Sequence, residues 1–194
     1  MLDNGSTNCY PGVHFLAPNS DTRYNRIMNK IAALLRPATQ ADEDFLWEIL
    51  YQAIYVGPND DPPPPSILEE PDIAHYLIDW GREHDCGWIA ESADSKQPLG
   101  AAWLRIWPDK EDIGYGFYAL NYPELTIALL PEARGQGIGT ALMDHLIEDA
   151  CKVHPGVSLS VSRQNPARRL YERFGFETVS EDDNSVLMVL TFSE

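Results

Sequence analysis

The chain has 194 residues, of which 44% are hydrophobic and 23% are charged, and its formal net charge is −16. This length suits one domain with one sizeable core, and the composition excludes a collagen, a coiled coil and a wholly disordered chain. The longest unbroken aliphatic runs, about five residues, fall far short of the ~20 that a membrane span needs. The N-terminus also lacks a signal-peptide pattern, so we expect a cytoplasmic protein without a membrane partner.

The charge is unevenly distributed along the chain. Residues 134–173 carry six of the 14 basic side chains against four acidic ones, a balance of +2, whereas the rest of the chain is −18. The overall acidity argues against nucleic acid as a partner. The positive stretch fits either one small polyanion or a chance cluster on a solvated helix face, and charge alone leaves both open. The three cysteines are far apart and the five histidines are scattered, so neither a disulfide framework nor a metal site is expected.

The first predicted elements are an irregular leader, a strand and a helix. Residues 1–30 are rich in Asn, Pro, Ser and Gly without a sustained period, and within them Met28 is an alternative start. Residues 31–194 form the predicted domain, which begins with a short strand over residues 31–36. Thr39 and Asp42 resemble a capping box that opens a helix. The apolar residues of this helix recur with a 3.6-residue period: Phe45, Leu46, Ile49, Leu50, Ala53 and Ile54.

A proline-rich loop separates this helix from the next predicted element. Residues 57–65 include four consecutive prolines and predict a stiff, exposed loop. A second helix is predicted from Ser66 to about Trp80, because Gly81 provides a stop signal after it.

From residue 87 the pattern becomes that of strands. Residues 87–91 and 99–107 predict two strands joined by the polar turn 92–98, which is typical of a hairpin. The glycine- and tyrosine-rich residues 114–121 predict a loop. Residues 124–130 predict a further strand, which Pro131 stops.

The last third of the chain alternates helices and strands. Residues 137–153 predict an amphipathic helix, residues 157–162 a strand and residues 165–174 a short helix. Residues 176–179 and 186–192 predict a terminal hairpin. This order of elements, without an internal repeat, predicts one mixed α/β domain.

The turn between strand 124–130 and helix 137–153 is the most informative stretch. Gly135, Gly137 and Gly139 alternate there, directly after a buried strand and directly before a helix. Glycines permit a sharp turn and a close approach to the backbone, and the first turn of a helix offers unpaired N–H donors that suit phosphate. The alternative is a tight connection that binds nothing. The spacing fits neither a nucleotide P-loop nor a dinucleotide fingerprint.

Two motifs carry a resemblance to a known family. Arg134-x-x-Gly137-x-Gly139 matches [Q/R]-x-x-G-x-[G/A], and residues 165–176, NPARRLYERFGF, match NxxAxxLYExxGF except that Gln164 stands at the position of the first asparagine. Together, in this order and spacing, they resemble the GNAT family of N-acetyltransferases. The resemblance covers residues 31–192. It implies a central twisted sheet of about six to seven strands flanked by about four helices.

The resemblance also implies acetyl-CoA as the acetyl donor, with no metal. In the family the glycine loop holds the pyrophosphate of acetyl-CoA, and backbone N–H groups near a bulged strand, which splays from its neighbour, polarise the thioester carbonyl. The matching positions in this sequence are Leu129, Leu130, Arg134, Gly135, Gln136, Gly137, Ile138, Gly139, Thr140, Asn165 and Ala167.

Acetyl transfer to an amine also needs a base and benefits from an acid. The resemblance makes Tyr171 the candidate acid for the departing thiolate, although from the residues alone it is more simply a core aromatic. Glu124, at the start of the strand before the glycine loop, is the candidate base; an exposed strand-end carboxylate is the alternative. The candidate walls of an acceptor pocket are Trp103, Tyr115, Tyr118 and Tyr122, which are equally well core or edge aromatics.

These observations predict an acetyl-CoA-dependent N-acetyltransferase. It would transfer the acetyl group to a primary amine of a small molecule or peptide by direct attack in a ternary complex. A non-catalytic acyl-CoA-binding or sensing protein of the same fold is the alternative, and a phosphate-binding module unrelated to CoA is a third. A homodimer is compatible with the sequence, which does not fix the oligomeric state.

Overall fold

A computed structural model describes residues 33–192, which form one mixed α/β domain. The predicted leader over residues 1–30, with Met28, lies outside these residues. Within them a single seven-stranded sheet has the order β1-β2-β3-β4-β5-β7-β6. The strands are β1 Ala33–Pro37, β2 Cys86–Ser92, β3 Pro98–Arg105, β4 Glu124–Leu129, β5 Gly156–Ser162, β6 Glu177–Glu181 and β7 Ser185–Thr191. The α-helices are α1 Glu43–Ala53, α2 Pro71–Ala74, α3 Ile138–Ala150 and α4 Arg168–Arg173. The predicted fold class is confirmed.

The sheet is nearly divided between β4 and β5. The other neighbouring strands pair antiparallel along most of their length, whereas β4 and β5 are parallel and share one register pair, Glu124 with Ser158. Beyond that pair the two strands diverge, so the backbone of β4 from Leu125 onward has no β5 partner. An opening therefore exists in the middle of the sheet.

Side-chain alternation along the strands builds a core on each face of the sheet. On β3, Ala102 and Leu104 pack with α3 in one buried cluster, whereas Ala101 and Trp103 pack with α1 in the other. Residues i and i+2 of a strand share a face, so one strand serves both layers. None of the helices in residues 33–192 is long and apolar enough to cross a bilayer.

The predicted capping box is present. Asp42 Oδ2 accepts hydrogen bonds from the Thr39 backbone N–H at 2.8 Å and from the Thr39 hydroxyl at 2.9 Å. It precedes a short 3₁₀ turn, Gln40–Asp42, that leads into α1. Local side-chain chemistry therefore sets the start of this helix.

The long helix predicted over residues 66–80 is wrong. In its place a 3₁₀ helix, Pro65–Glu69, is followed by the one-turn helix α2 and by turns. Pro71 lacks the N–H that a continuous helix would use, and proline disfavours helical backbone in the residue before it. Glu70 accordingly has an extended ψ of 131°.

A buried arginine fastens these turns to β3. Arg105 is 1% exposed, and its guanidinium donates hydrogen bonds to both carboxylate oxygens of Asp85 at 3.1 and 2.7 Å. It also donates to the backbone oxygens of His75 and Ile78 at 2.6 and 2.9 Å. A buried charge needs such complete pairing. The backbone on either side of Tyr76 is thereby held against the sheet.

Candidate active site

The opening between β4 and β5 is the floor of a cleft of about 1450 Å³. Its walls come from the C-terminal end of α1 and the loop after it, from β4 and β5, from the glycine loop, from α4 and from the β6–β7 turn. Six of the predicted donor-binding residues line it: Leu129, Arg134, Gly135, Gly139, Asn165 and Ala167. The structure thus gathers two motifs that lie about 30 residues apart in the chain.

The glycine loop has the backbone geometry of an anion cradle. Gly135 and Gly137 adopt φ of 73° and 84°, in the left-handed region that favours glycine. The first helical hydrogen bond of α3 runs from the Ala141 N–H to the Gly137 oxygen at 3.2 Å, so the preceding N–H groups lie before the helical ladder begins. These residues fit a pyrophosphate at a helix N-terminus.

The other predicted loop residues lie beside the cleft rather than in its wall. Gln136 is exposed, and its side-chain amide donates to the Glu132 oxygen at 2.7 Å. Ile138 is buried in the core beneath α3, and Thr140 follows it in the first helical turn.

Arg134 donates to the Leu129 oxygen at 3.1 Å and to Gln52 Oε1 at 3.0 Å, which bridges the loop to α1.

Of the two predicted backbone donors, one faces the cleft. The Leu130 N–H donates to the Leu99 oxygen at 2.9 Å and is used within the β3 side of the sheet. Because backbone groups alternate in direction along a strand, the Leu129 N–H points to the opposite side, into the opening. The β3–β4 register runs from Gly100–Leu129 to Arg105–Glu124 without a shift. The expected bulge is therefore absent from this ladder, whereas the splay from β5 is present.

Tyr171 lies on α4 and lines the cleft. It is 7% exposed and its ring centroid is 6.0 Å from that of Phe176, so it also packs in the core. Burial raises the pKa of its phenol to about 12, because an apolar environment penalises the phenolate. The hydroxyl is therefore protonated at neutral pH and can donate.

Glu124 is a buried carboxylate, 3% exposed, and the alternative of an exposed strand-end residue is wrong. Its Oε1 accepts hydrogen bonds from the Tyr76 hydroxyl at 2.6 Å and the Gly116 N–H at 2.7 Å, and its Oε2 accepts one from Trp107 Nε1 at 2.8 Å. Burial raises the pKa of Glu124 to about 7, although the three donors favour the charged form. Such a group exchanges protons near neutral pH.

Of the four predicted acceptor-wall residues, Trp103, Tyr118 and Tyr122 do not line the cleft, whereas Tyr115 does. Trp103 is fully buried, and its ring centroid lies 6.3 Å from that of Trp80 in the core beneath α1. Tyr118 is 46% exposed and packs edge-on against Tyr122, with ring centroids 5.0 Å apart. The neighbouring Tyr115, 64% exposed, does line the cleft.

The β5–α4 connection carries the departure from the family motif. Asn165 Oδ1 accepts the Ala167 N–H at 2.9 Å, so this side chain stabilises the turn that leads into α4, whose N-cap residue is Ala167. The backbone oxygen of Gln164 accepts the Tyr55 hydroxyl at 3.2 Å, which joins the loop after α1 to this connection.

Sequence reasoning missed the partners of Glu124. Tyr76 lies in the turns after α2, whereas Trp107 and Gly116 lie in the connection between β3 and β4, and none of them belongs to a motif. The available signal was Gly114-Tyr115-Gly116, a glycine pair in a loop, since such pairs often mark a close backbone approach.

The model of the acetyltransferase (GNAT) family matches residues 47–176, which is most of the chain. The chain belongs to the GNAT family. The matched region contains Glu124, Tyr171 and both motifs of the cleft.

Similar proteins support this membership. The chain is 41% identical over 71 residues to human cysteine-rich protein 2-binding protein, across 34% of this chain but only 9% of that protein. It is 30% identical over 95 residues to the 5-NmdU N-acetyltransferase of Pseudomonas phage PaMx11, across 45% of this chain and 66% of that one. A phosphinothricin acetyltransferase from Sinorhizobium meliloti, solved with acetyl-CoA, superposes with a TM-score of 0.60 at 20% identity, covering 83% of this chain and 89% of that one. This GNAT chain therefore shares the fold of a solved acetyl-CoA complex.

Proposed function

We propose that this GNAT protein is an acetyl-CoA-dependent N-acetyltransferase that acts on a primary amine of a small molecule or peptide. The observation that carries the proposal is the combination of three features in one cleft, at the β4–β5 opening. It joins an anion cradle, a buried carboxylate with a pKa near neutrality and a protonated phenol. An anion-binding module alone needs only the first of these.

Acetyl-CoA would supply the activated acetyl group, with its pyrophosphate at the glycine loop and the first turn of α3. The Leu129 N–H stabilises the negative charge that develops on the thioester oxygen. The Tyr171 hydroxyl donates its proton to the departing thiolate, and the second proton of the attacking nitrogen restores the phenol. No covalent intermediate with the protein is required, because the amine attacks directly.

Glu124 is the proposed base. An alkylammonium with a pKa of ~10.4 must lose a proton before it can attack. As a carboxylate, Glu124 accepts that proton directly or through a water, and its raised pKa makes it a stronger base than an exposed glutamate.

The test is product formation with acetyl-CoA and a panel of primary amines, followed by mass spectrometry for an increase of one acetyl group. Calorimetry with acetyl-CoA, CoA and ATP accompanies it. We expect binding of both CoA compounds but not of ATP, and acetylation of at least one amine. Binding of acetyl-CoA without turnover on any amine would favour the non-catalytic acyl-CoA-binding alternative, and equal binding of ATP would favour the phosphate-binding one.

A further inference from the structure

The segment Gly114–Gly116, here called the strap, lies directly over the Glu124 carboxylate. A Cβ atom on Gly114 would overlap Glu124 Oε2 and would lie 2.5 Å from the Tyr76 hydroxyl and 2.6 Å from the Trp107 ring. A Cβ on Gly116 would lie 2.7 Å from Glu124 Oε1. Real Cβ atoms do not approach so closely, so the strap requires glycine at both ends. Only Tyr115 between them extends an exposed side chain into the cleft wall.

One hydroxyl joins the strap to the carboxylate. The Tyr76 oxygen accepts the Tyr115 N–H at 2.7 Å and donates its proton to Glu124 Oε1 at 2.6 Å. Tyr76 is 8% exposed and packs edge-on against Trp107, with ring centroids 5.3 Å apart. A phenol has a single proton, so both bonds are satisfied together in one orientation when Glu124 is ionised.

We propose that Tyr76 is a positioning residue for acetyl transfer: its hydroxyl fixes the Glu124 carboxylate, which accepts the amine proton, to the strap. Oε1 accepts two hydrogen bonds, from Tyr76 and Gly116, and Oε2 accepts one from Trp107. In the transfer an N–H bond of the ammonium breaks and an O–H bond forms on the Glu124 carboxylate. This inference rests on the proposed function, in which Glu124 is the base.

Other polar side chains also lie around Glu124. Arg105, its register partner on β3, is bound to Asp85. His75 lies against Tyr76 and Trp107; its Nδ1 is 2.8 Å from Asp112, and its buried Nε2 has no hydrogen-bond partner among the described residues. Tyr115 lines the cleft with an exposed side chain. Removing the Tyr76 hydroxyl therefore changes the environment of Glu124 and leaves the Arg105–Asp85 pair in place.

The test compares Tyr76→Phe with Tyr122→Phe, which removes a hydroxyl outside the cleft lining. The Glu124 pKa is measured by ¹³C NMR of labelled glutamate carboxyls, assigned with Glu124→Gln, and turnover is measured against pH with an accepted amine. In Tyr76→Phe we expect the Glu124 pKa to rise by about one to two pH units, the strength of a hydrogen bond to a charged group. Turnover below neutral pH should fall about 10- to 100-fold and recover at high pH, with acetyl-CoA affinity within about twofold. Tyr122→Phe should match the wild type.

Three results would overturn the inference in distinguishable ways. If the pH–rate profile of Glu124→Gln is unchanged, Glu124 is not the base, and the proposed mechanism is wrong. If the Glu124 pKa in Tyr76→Phe equals that of the wild type, Tyr76 does not position Glu124, although Glu124 can still be the base. If Tyr76→Phe does not fold, amide hydrogen exchange of the wild-type protein decides: the N–H groups of Tyr115 and Gly116 should be protected, and exchange at the rate of an open loop would refute a fixed strap.

Discussion

The two sides of the cleft are built in different ways. On the donor side, consecutive residues of the glycine loop and α3 offer backbone N–H groups, and the local sequence determines their geometry. On the base side, Glu124 is held by the Tyr76 hydroxyl, 48 residues away in the chain, and by Trp107 and Gly116 of the connection that precedes β4. Backbone recognition tolerates different side chains, whereas side-chain recognition depends on the tertiary fold. Acetyl-CoA binding on the donor side should therefore be lost when the backbone changes shape. Proton transfer on the base side should be lost when a single hydrogen-bonding or proton-accepting atom is removed.

The largest effect is expected on the donor side. Gly137→Val places a β-branched side chain at φ 84° where the cradle turns into α3, so acetyl-CoA binding should become undetectable by calorimetry. Gly81→Val is the matched control, because Gly81 also has a left-handed φ, 98°, but lies in the turn before β2 rather than in the glycine loop. It should lose some stability and retain affinity. Tight acetyl-CoA binding by Gly137→Val would contradict the cradle assignment.

A second large effect is expected on the base side. Glu124→Gln cannot accept the amine proton, so turnover should fall about 10²- to 10⁴-fold while acetyl-CoA affinity changes little. The wild-type rate should rise with pH through about 7 as Glu124 ionises, and this dependence should be absent from the variant. The measurement is the pH–rate profile at saturating acetyl-CoA, and a parallel fall in affinity would instead indicate damage to the fold.

Tyr171→Phe should have an intermediate effect, because it removes the acid and keeps the buried ring. Turnover should fall about 10²-fold with unchanged acetyl-CoA affinity. Were Tyr171 a core anchor alone, the change would cost about 1 kcal/mol of stability or less and leave turnover intact. Rate and thermal unfolding measured on the same preparation separate these outcomes.

The smallest effect concerns stability. Because folding raises the pKa of Glu124 from 4.5 to about 7, the folded protein binds this proton more tightly than the unfolded chain does. Its stabilising contribution is present below pH ~4.5 and is lost as the pH rises through about 7. Between about pH 5 and pH 8, the free energy of unfolding of the wild type should fall by about 2–3 kcal/mol relative to Glu124→Gln. Parallel urea unfolding curves at the two pH values check this, and an unchanged difference would contradict the raised pKa.

The same contrast explains what the sequence could predict. The glycine loop, α1 with its capping box, and the terminal hairpin were predictable because each depends on neighbouring residues. The predicted helix over 66–80 is interrupted at Pro71, a helix breaker inside the predicted range, whereas the prediction used only the stop signal at Gly81. The burial of Trp103 and the hydrogen bonds of Glu124 were beyond local patterns, since both depend on contacts between residues far apart in the chain.

The one register pair between β4 and β5 has a consequence for how the domain moves and unfolds. Backbone hydrogen bonds hold β1–β4 together as one half and β5–β7 as another, so the continuity of the sheet depends on packing. Helix α3 provides this packing, because the buried face of the helix lies in one apolar cluster with residues of both halves, such as Leu104 and Val157. The halves should behave as separable cooperative units coupled through α3. A ligand bound at the N-terminus of α3 should stabilise the helix that connects the two halves. Its binding should therefore slow amide hydrogen exchange in both halves of the sheet.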